Sequence, residues 1–563
     1  MTRHFKFLLL FSLFLSPVHA VSTSDQVLLG HLRYLASDEM RGRGNSQPEL
    51  QVAAEYIARN FQKYGLKPAG LNGSFFQEFE IVAGHSLGEK AQIQVVLEGE
   101  ELQLKPHQDY SPLSYGPQVV AAGPLVFAGF GISANDLNYD DYRDLDVTGK
   151  IVLVSEGVPR KDDEGRYLSS REISPYGSRM HKIMNAKHRG AAAILFRPER
   201  NSSDQERTVF HEIEDLGIHA LRLKREIPRE GCASISLEVK KVYSTVRNVL
   251  GFIPGQTDEV IVIGAHYDHL GLGDHSSLAP GLLGEIHNGA DDNASGTAGL
   301  LQLARDLART PRKRGLLFIA FAAEEIGLRG SDHYTERPTI RLEKTIAMIN
   351  LDMIGRSEGD LIIGGVGTAP EFRNILSDIQ KNSPLEFKYS DSVRGSSDHQ
   401  SFASVEVPAL FFFSGLHEDY HQPSDDWEKI NIVRTYQILD VVRETIAYLD
   451  QGADSPTFVE ARPPARAQRA RGYRNAYGPL FGSIPDMSWD LGGVRFSDIR
   501  PGTPADKAGV QTGDILVEFD GKKIDNLYDF TYALRLRKRG DEVEVVVLRD
   551  DRPLRVKVEL GER

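Results

Sequence analysis

Unbroken apolar runs recur through the middle of the chain, and each stops at a polar or charged group. Val260-Ile-Val-Ile-Gly-Ala265 ends in His266, Tyr267, Asp268 and His269, and Gly315-Leu-Leu-Phe-Ile-Ala-Phe-Ala-Ala323 ends in Glu324 and Glu325. Ala347-Met-Ile-Asn-Leu351 ends in Asp352, and Pro408-Ala-Leu-Phe-Phe-Phe413 leads through a short loop to Tyr420 and His421. Short β-branched and aromatic runs without alternation are the pattern of strands buried on both faces, as in a parallel sheet. Polar groups at their ends then share the sheet edge where open α/β proteins place their chemistry. After the polar loop Asn288-Gly-Ala-Asp291-Asp292-Asn-Ala-Ser-Gly296, Leu300, Leu301, Leu303, Ala304 and Leu307 recur at helical spacing. The helix N-terminus beside that loop favours carboxylates. The pattern predicts an α/β domain with a mixed, mostly parallel sheet and helices on both faces.

Upstream, Val27, Leu28, Leu32 and Leu35, then Ala53, Ala54, Ile57, Ala58 and Phe61, predict two core-packing helices around an Arg41-Gly-Arg-Gly44 turn. The pattern changes between residues 104 and 242. Short strands with glycine boundaries follow one another there (Gly123–Gly131, Gly149–Val154, Gly190–Phe196), with a helix over Met180–His188, and no metal ligands or nucleophile–base pair cluster. Residues 453–478, rich in Pro, Ala and Arg, read as an extended linker. From residue 479 to 563 turn signals alternate with strands, with one helix over Leu527–Leu536.

Composition adds limits. The 563 residues allow three or four domains, and the lone Cys232 excludes an intramolecular disulfide framework. A net charge of −13 argues against a nucleic-acid partner. Residues 1–20 open on Arg3, His4 and Lys6, continue with the apolar Phe7–Leu15 and close on Val18-His19-Ala20, the pattern of a secretory signal peptide, too short for a membrane span. The expectation is an exported protein, periplasmic or extracellular, without a transmembrane anchor.

Carboxylates collected on one sheet edge repel unless cations neutralise them, so the recurrence predicts a bound metal cluster. An Asp two residues after a ligand His can orient the ring from behind, the place expected of Asp268. Nitrogen and oxygen donors without thiolate suit zinc, with cobalt or manganese as substitutes.

The motifs His266-Tyr-Asp268, Gly289-Ala-Asp291-Asp292-Asn-Ala-Ser-Gly296, Ala323-Glu324-Glu325-Ile-Gly327, Asn350-Leu-Asp352-Met353 and Tyr420-His421-Gln-Pro-Ser-Asp425 resemble, in order, those of the M28 family of co-catalytic zinc peptidases, mostly aminopeptidases. The resemblance runs from about residue 25 to 450. It implies the zinc exopeptidase fold, with a catalytic domain in two parts (21–103 and 243–452), and two zinc ions held by His266, Asp291, Glu325, Asp352 and His421. Asp291 would bridge the ions, Glu324 would be the catalytic base, and Asp425 would stand behind the ligands. Residues 104–242 resemble a protease-associated (PA) insert, for which a lid or substrate-docking role is expected. Residues 479–563 resemble a bacterial PDZ domain, with Phe481, Gly482 and Ser483 as the loop for a peptide carboxylate and a peptide or protein C-terminus as its partner.

In the family a Ser-Asp-His run lines the pocket, which makes Asp398 and His399, with Arg394 and Tyr420, candidates for its wall. Surplus carboxylates at Asp398 and Glu418 favour binding of a free α-ammonium, hence an aminopeptidase acting on peptides. Arg394 is the cation a carboxypeptidase would need. The alternatives are a carboxypeptidase or other amide hydrolase on the same scaffold, and a non-catalytic peptide-binding or receptor protein. The last should have lost ligands or the base, which this chain retains.

Overall fold

The strand Val260–His266 runs parallel to Gly315–Phe321 on one side and Thr345–Leu351 on the other, placing His266 beside Phe321. Every residue of these three strands is buried in the computed structural model, which explains the missing alternation. Residues 23–460 and 479–561 are described, apart from 89–90, 98, 107, 116–119, 135–136, 163, 167–175, 198–213, 274–276, 280–283, 357–358, 394–396, 453, 486–491, 501 and 550–551. The expected signal peptide, most of the linker and Arg394 therefore lie outside the described residues.

Ala409–Phe413 continues the parallel set beside Thr345–Leu351. Antiparallel neighbours, Val239–Ile253 next to Gly315–Phe321 and Leu361–Gly364 next to Ala409–Phe413, extend it to a nine-stranded mixed sheet. Strand residues alternate between two cores. Ile261 and Ile263 pack with Leu28, Leu50, Ile57, Leu300, Leu301 and Ile438 from the helices Thr23–Leu35, Pro48–Tyr64, Gly296–Leu307 and Ile432–Gln451. Val260 and Val262 pack on the opposite face with Tyr334 and Phe402 from Arg329–Glu336 and His399–Ser404. With helices on both faces, the edge at His266, Ala323, Leu351 and Phe413 is left for function.

The insert is carried on a long antiparallel ribbon, Phe76–Leu87 against Val239–Ile253. Its own nine-stranded sheet begins earlier than the boundary at residue 104 set by the pattern. Gln92–Leu97 pairs with both Glu100–Leu104 and Cys232–Ser236, so these two upstream strands belong to the insert. The mixed polar and apolar residues of these two strands, unlike the unbroken apolar runs further on, hid the switch.

The C-terminal domain closes a separate core of Phe481, Phe496, Phe519, Phe530 and Val545. Its helix Leu527–Arg535 lies against the insert's helix Arg179–His188. Lys187 Nζ sits 2.8 and 2.9 Å from the two oxygens of the fully buried Asp529, His188 stacks on Tyr532 at 4.7 Å, and the Tyr532 hydroxyl donates to Asn185. Among the described residues no helix is long and apolar enough to cross a membrane.

Candidate metal centre

Four loops leaving the sheet edge deliver imidazoles and carboxylates to one buried volume. Three of them use a left-handed residue where an ordinary side chain is disfavoured: Ala323 (φ 61°), Met353 (φ 51°) and His421 (φ 55°). Each costs on the order of 1 kcal/mol and persists only where the surrounding structure fixes it, a habit of functional sites.

The His266 ring is set by its Nδ1, which donates to the Asp268 carbonyl at 3.2 Å. That leaves Nε2 facing Asp292 Oδ1 and Asp352 Oδ1, each 3.3 Å away. On the other side His421 Nε2 lies 3.2 Å from both Asp292 Oδ2 and Glu325 Oε2. The two oxygens of Asp292 thus face two separate donor pairs. His269 completes the second group, with Nδ1 2.6 Å from Glu325 Oε1 and 3.9 Å from Asp292 Oδ2.

These separations suit an ion. Zinc holds nitrogen and oxygen at about 2.0–2.2 Å, so two donors on one tetrahedral ion stand about 3.3–3.5 Å apart. His269 Nε2, moreover, is buried with no hydrogen-bond partner among the described residues.

Charge shapes the site. Despite burial, which opposes its charge, His266 is pushed well above its ordinary pKa by Glu324 and Asp352, and His421 is pushed to about 11 by Glu325 and Asp292. Against the same burial the histidines hold Asp292 well below the carboxylate range. Glu324 moves the other way. Burial raises its proton affinity, His266 offsets part of this, and Glu325, Asp352 and Asp398 add to it. Its Oε2 stands 4.0 Å from His266 Nε2, and its side chain keeps a small exposed surface, as those of Asp352 and His421 also do, while His266 is sealed from solvent.

Asp291, the expected bridge, faces away from both donor groups. Asp291 Oδ1 accepts from the Gly355 amide at 2.6 Å and Oδ2 lies 3.2 Å from His417 Nε2, so its carboxylate is turned under the loop and belongs to neither donor group. Asp292, in a more extended conformation (φ −105°, ψ 93°), points the opposite way. Asp425 Oδ2 accepts the amides of both, at 2.9 and 3.2 Å, and so sets the loop from behind.

Asp268 also works differently from expectation. Its carboxylate is 3.8 Å from His266 Nδ1 and instead accepts the amides of Glu324 (3.1 Å) and Glu325 (3.3 Å), holding the turn that carries both acids.

The Ser-Asp-His run does not line an open pocket. Asp398 is fully buried, and burial raises its carboxyl to about 7 although His266 and Ser331 offset it. His399 is buried and stacked on Phe411 at 4.5 Å, its pKa lowered by burial to about 3. Ser397 reaches the site instead, donating to Asp352 Oδ2 at 2.8 Å. Tyr420, half-buried, stacks on His421 at 3.9 Å. In the C-terminal domain Phe481 is a core side chain, 2% exposed, and the backbone that follows has Gly482 at φ 105° and Ser483 opening an edge strand.

The sequence reading passed over His269, Asp292 and two upstream side chains, Arg43 and Asn45. His269 and Asp292 stood inside the motifs already singled out, but spacing alone does not say which of two adjacent residues faces a site.

Three protein-family models agree with this domain order. The model of peptidase family M28 matches residues 248–446, that of the PA domain residues 120–226, and that of the PDZ domain residues 469–560. Aminopeptidase YwaD of Bacillus subtilis is 26% identical over 362 residues, 61% of this chain and 70% of that protein. A probable leucine aminopeptidase of Arthroderma benhamiae is 28% identical over 198 residues, 33% of this chain and 52% of that protein. Among solved structures, BSAP, a zinc aminopeptidase from Bacillus subtilis, aligns with a TM-score of 0.49 and 21% identity, covering 79% of this chain and 100% of that one.

Proposed function

We propose that this metallopeptidase, which carries an M28 catalytic domain together with PA and PDZ domains, is an exported dinuclear zinc aminopeptidase that removes N-terminal residues from peptides. The observation that carries the reading is the placement of Asp292 between His266–Asp352 and His421–Glu325, with Glu324 beside them. His266 and Asp352 would hold one ion, His421 and Glu325 the other, with Asp292 shared and His269 backing Glu325. When bound, the ions supply Lewis acidity, which acidifies water and stabilises a tetrahedral oxyanion.

The chain's own residues do the rest. Glu324, whose proton affinity burial raises, would act in its ionised form, taking the proton from the attacking water and passing it to the leaving amine. Asp268 keeps the Glu324–Glu325 turn in place through two amides. Ser397 fixes Asp352, and Asp425 fixes the loop carrying Asp292.

Polarity of cleavage follows from the charges. The described guanidiniums beside the cluster are engaged, Arg43 by backbone carbonyls and Arg356 by Asp419 at 2.6 Å. Of the surplus carboxylates expected to bind a free α-ammonium, Asp398 is fully buried, so the aminopeptidase reading rests on these guanidiniums being engaged and not offered to a terminal carboxylate. The relatives named as aminopeptidases agree with this polarity. Export rests on the signal-like residues 1–20, and capture of a peptide C-terminus rests on the edge strand Ser483–Pro485, which pairs on one side with Val494–Ile499.

The test is one peptide offered free, N-acetylated and C-amidated. Acetylation should abolish hydrolysis and amidation should change it little. The reverse pattern would make the enzyme a carboxypeptidase.

A further inference from the structure

Arg43 and Asn45 sit in the turn between the first two helices, outside the residues matched by the M28 model. The pattern of the chain gives that turn no more than a packing role. We infer that both are positioning residues of the metal centre, an inference that rests on the metal reading above.

Arg43 is among the largest side chains with no exposed surface. Burying a guanidinium is costly unless its donors are satisfied, and here they are satisfied by the loops of the site itself. Nε donates to the carbonyl of Tyr267 at 2.8 Å, between His266 and Asp268. Nη1 donates to Asn288 O at 2.8 Å and also to Leu35 O, while Nη2 donates to Gly289 O at 3.0 Å, just before the Asp291–Asp292 pair. One rigid fork therefore ties the start of this long loop, beside His266, to its far end, before Asp292.

The backbone supports the same reading. Arg43 has φ 51°, a conformation that glycine adopts without penalty. An arginine in that place is explained by its side chain. Its carbonyl accepts from His269 N at 3.3 Å, Gly42 O accepts from Gly271 N at 3.1 Å, and a Cβ at Gly42 would collide with the backbone of His287 and Gly271. The turn is thus laid directly on the His266–Gly271 loop.

Asn45 acts one step further on. Its Nδ2 donates to Asp268 Oδ2 at 2.7 Å, and Asp268 in turn holds the amides of Glu324 and Glu325. Between them the two residues reach two of the four loops of the centre, the long one that carries His269 and Asp292 and the one that carries Glu324 and Glu325.

Zinc affinity of the full-length protein, measured by chelator competition, tests this together with melting temperature in the metal-free and zinc-saturated states. Arg43→Lys keeps the charge, but three donors on a single nitrogen cannot reach the four carbonyls of Leu35, Tyr267, Asn288 and Gly289. It should bind zinc about 10–100-fold more weakly and show a smaller rise of melting temperature on adding zinc. Equal lowering of both melting temperatures with unchanged affinity would reduce Arg43 to a packing residue and overturn the inference. Should Arg43→Lys fail to fold, Asn45→Ala, at a half-buried position, carries the test. Weaker zinc binding and a kcat down about tenfold at unchanged KM are expected, on the scale of residues that support ligands. Wild-type values in Asn45→Ala would overturn the inference. A wild-type protein that binds no zinc in the same titration would instead overturn the metal reading, and this inference with it.

Discussion

Asp291 and Asp292 are adjacent and chemically identical, and the structure gives them opposite fates, which makes Asn substitution at each a sharp comparison. Asp292→Asn preserves shape but removes a charge whose two oxygens lie 3.3 Å from His266 Nε2 and 3.2 Å from His421 Nε2. A hydrogen-bonded contact involving a charged group contributes about 1.5–3 kcal/mol, so two such contacts are worth roughly 3–6 kcal/mol. Carried over to the ions that would lie there, this is a loss of about 10²–10⁴-fold in affinity. Asp291→Asn keeps an oxygen for the Gly355 amide at 2.6 Å and disturbs mainly the contact to His417 at 3.2 Å, so its effect should stay within about tenfold, the size of one ordinary hydrogen bond. Zinc affinity by chelator competition and kcat on a short peptide, measured on both variants, decide the matter. Greater damage from Asp291→Asn would refute the reasoning and restore the bridge to Asp291.

Glu324→Gln should keep metal content near wild type while kcat falls at least about a hundredfold, and near-normal turnover would remove Glu324 from the role of base. Chelation should lower the melting temperature of the catalytic domain by roughly 8–16 °C, the equivalent of about 4 kcal/mol for an ion present at about a thousand times its Kd, whereas an unchanged melt would mean that no ion is held. Lys187→Ala strips the fully buried Asp529 of its counter-charge at a cost of about 3–5 kcal/mol. Hydrogen exchange should then quicken in Arg179–His188 and Leu527–Arg535, and unchanged exchange would show that the two domains are held by other contacts. Asp419 is held below the ordinary aspartate range, where Lys429, Ser424 and Arg356 outweigh its burial. Its contribution to stability is complete above about pH 4 and is lost as pH falls through the lowered value. The difference in melting temperature between wild type and Asp419→Asn should accordingly shrink on acidification, and a constant difference would contradict the assignment.

The catalytic sheet was legible because its strands are buried on both faces, so that Val260–His266, Gly315–Phe321 and Thr345–Leu351 announce themselves as unbroken apolar runs ending in the chemistry. Four loops of the site could be found in this way. What could not be read was direction: whether Asp291 or Asp292 faces the two donor groups depends on a local turn of the backbone, and adjacent acids leave the same trace in sequence. The depth of Asp398 was hidden for a related reason, since a carboxylate in a polar run reads as exposed although helix His399–Ser404 carries it inward. Arg43 and Asn45 were hidden by distance along the chain, because a turn far upstream shows no sign of the loops it will clamp. The insert's first strands, Gln92–Leu97 and Glu100–Leu104, have Gly88 and Gly99 beside them but mix polar with apolar residues, unlike the unbroken runs Ile151–Val154 and Ala193–Phe196.

Titration of the metal-free protein with zinc, following release of the N-terminal residue from a free-amine peptide and from its N-acetylated twin, tests the dinuclear aminopeptidase most directly. Activity on the free peptide should climb to a plateau at two equivalents of zinc while the acetylated peptide stays intact. Full activity without metal, or equal cleavage of the two peptides, would contradict the account.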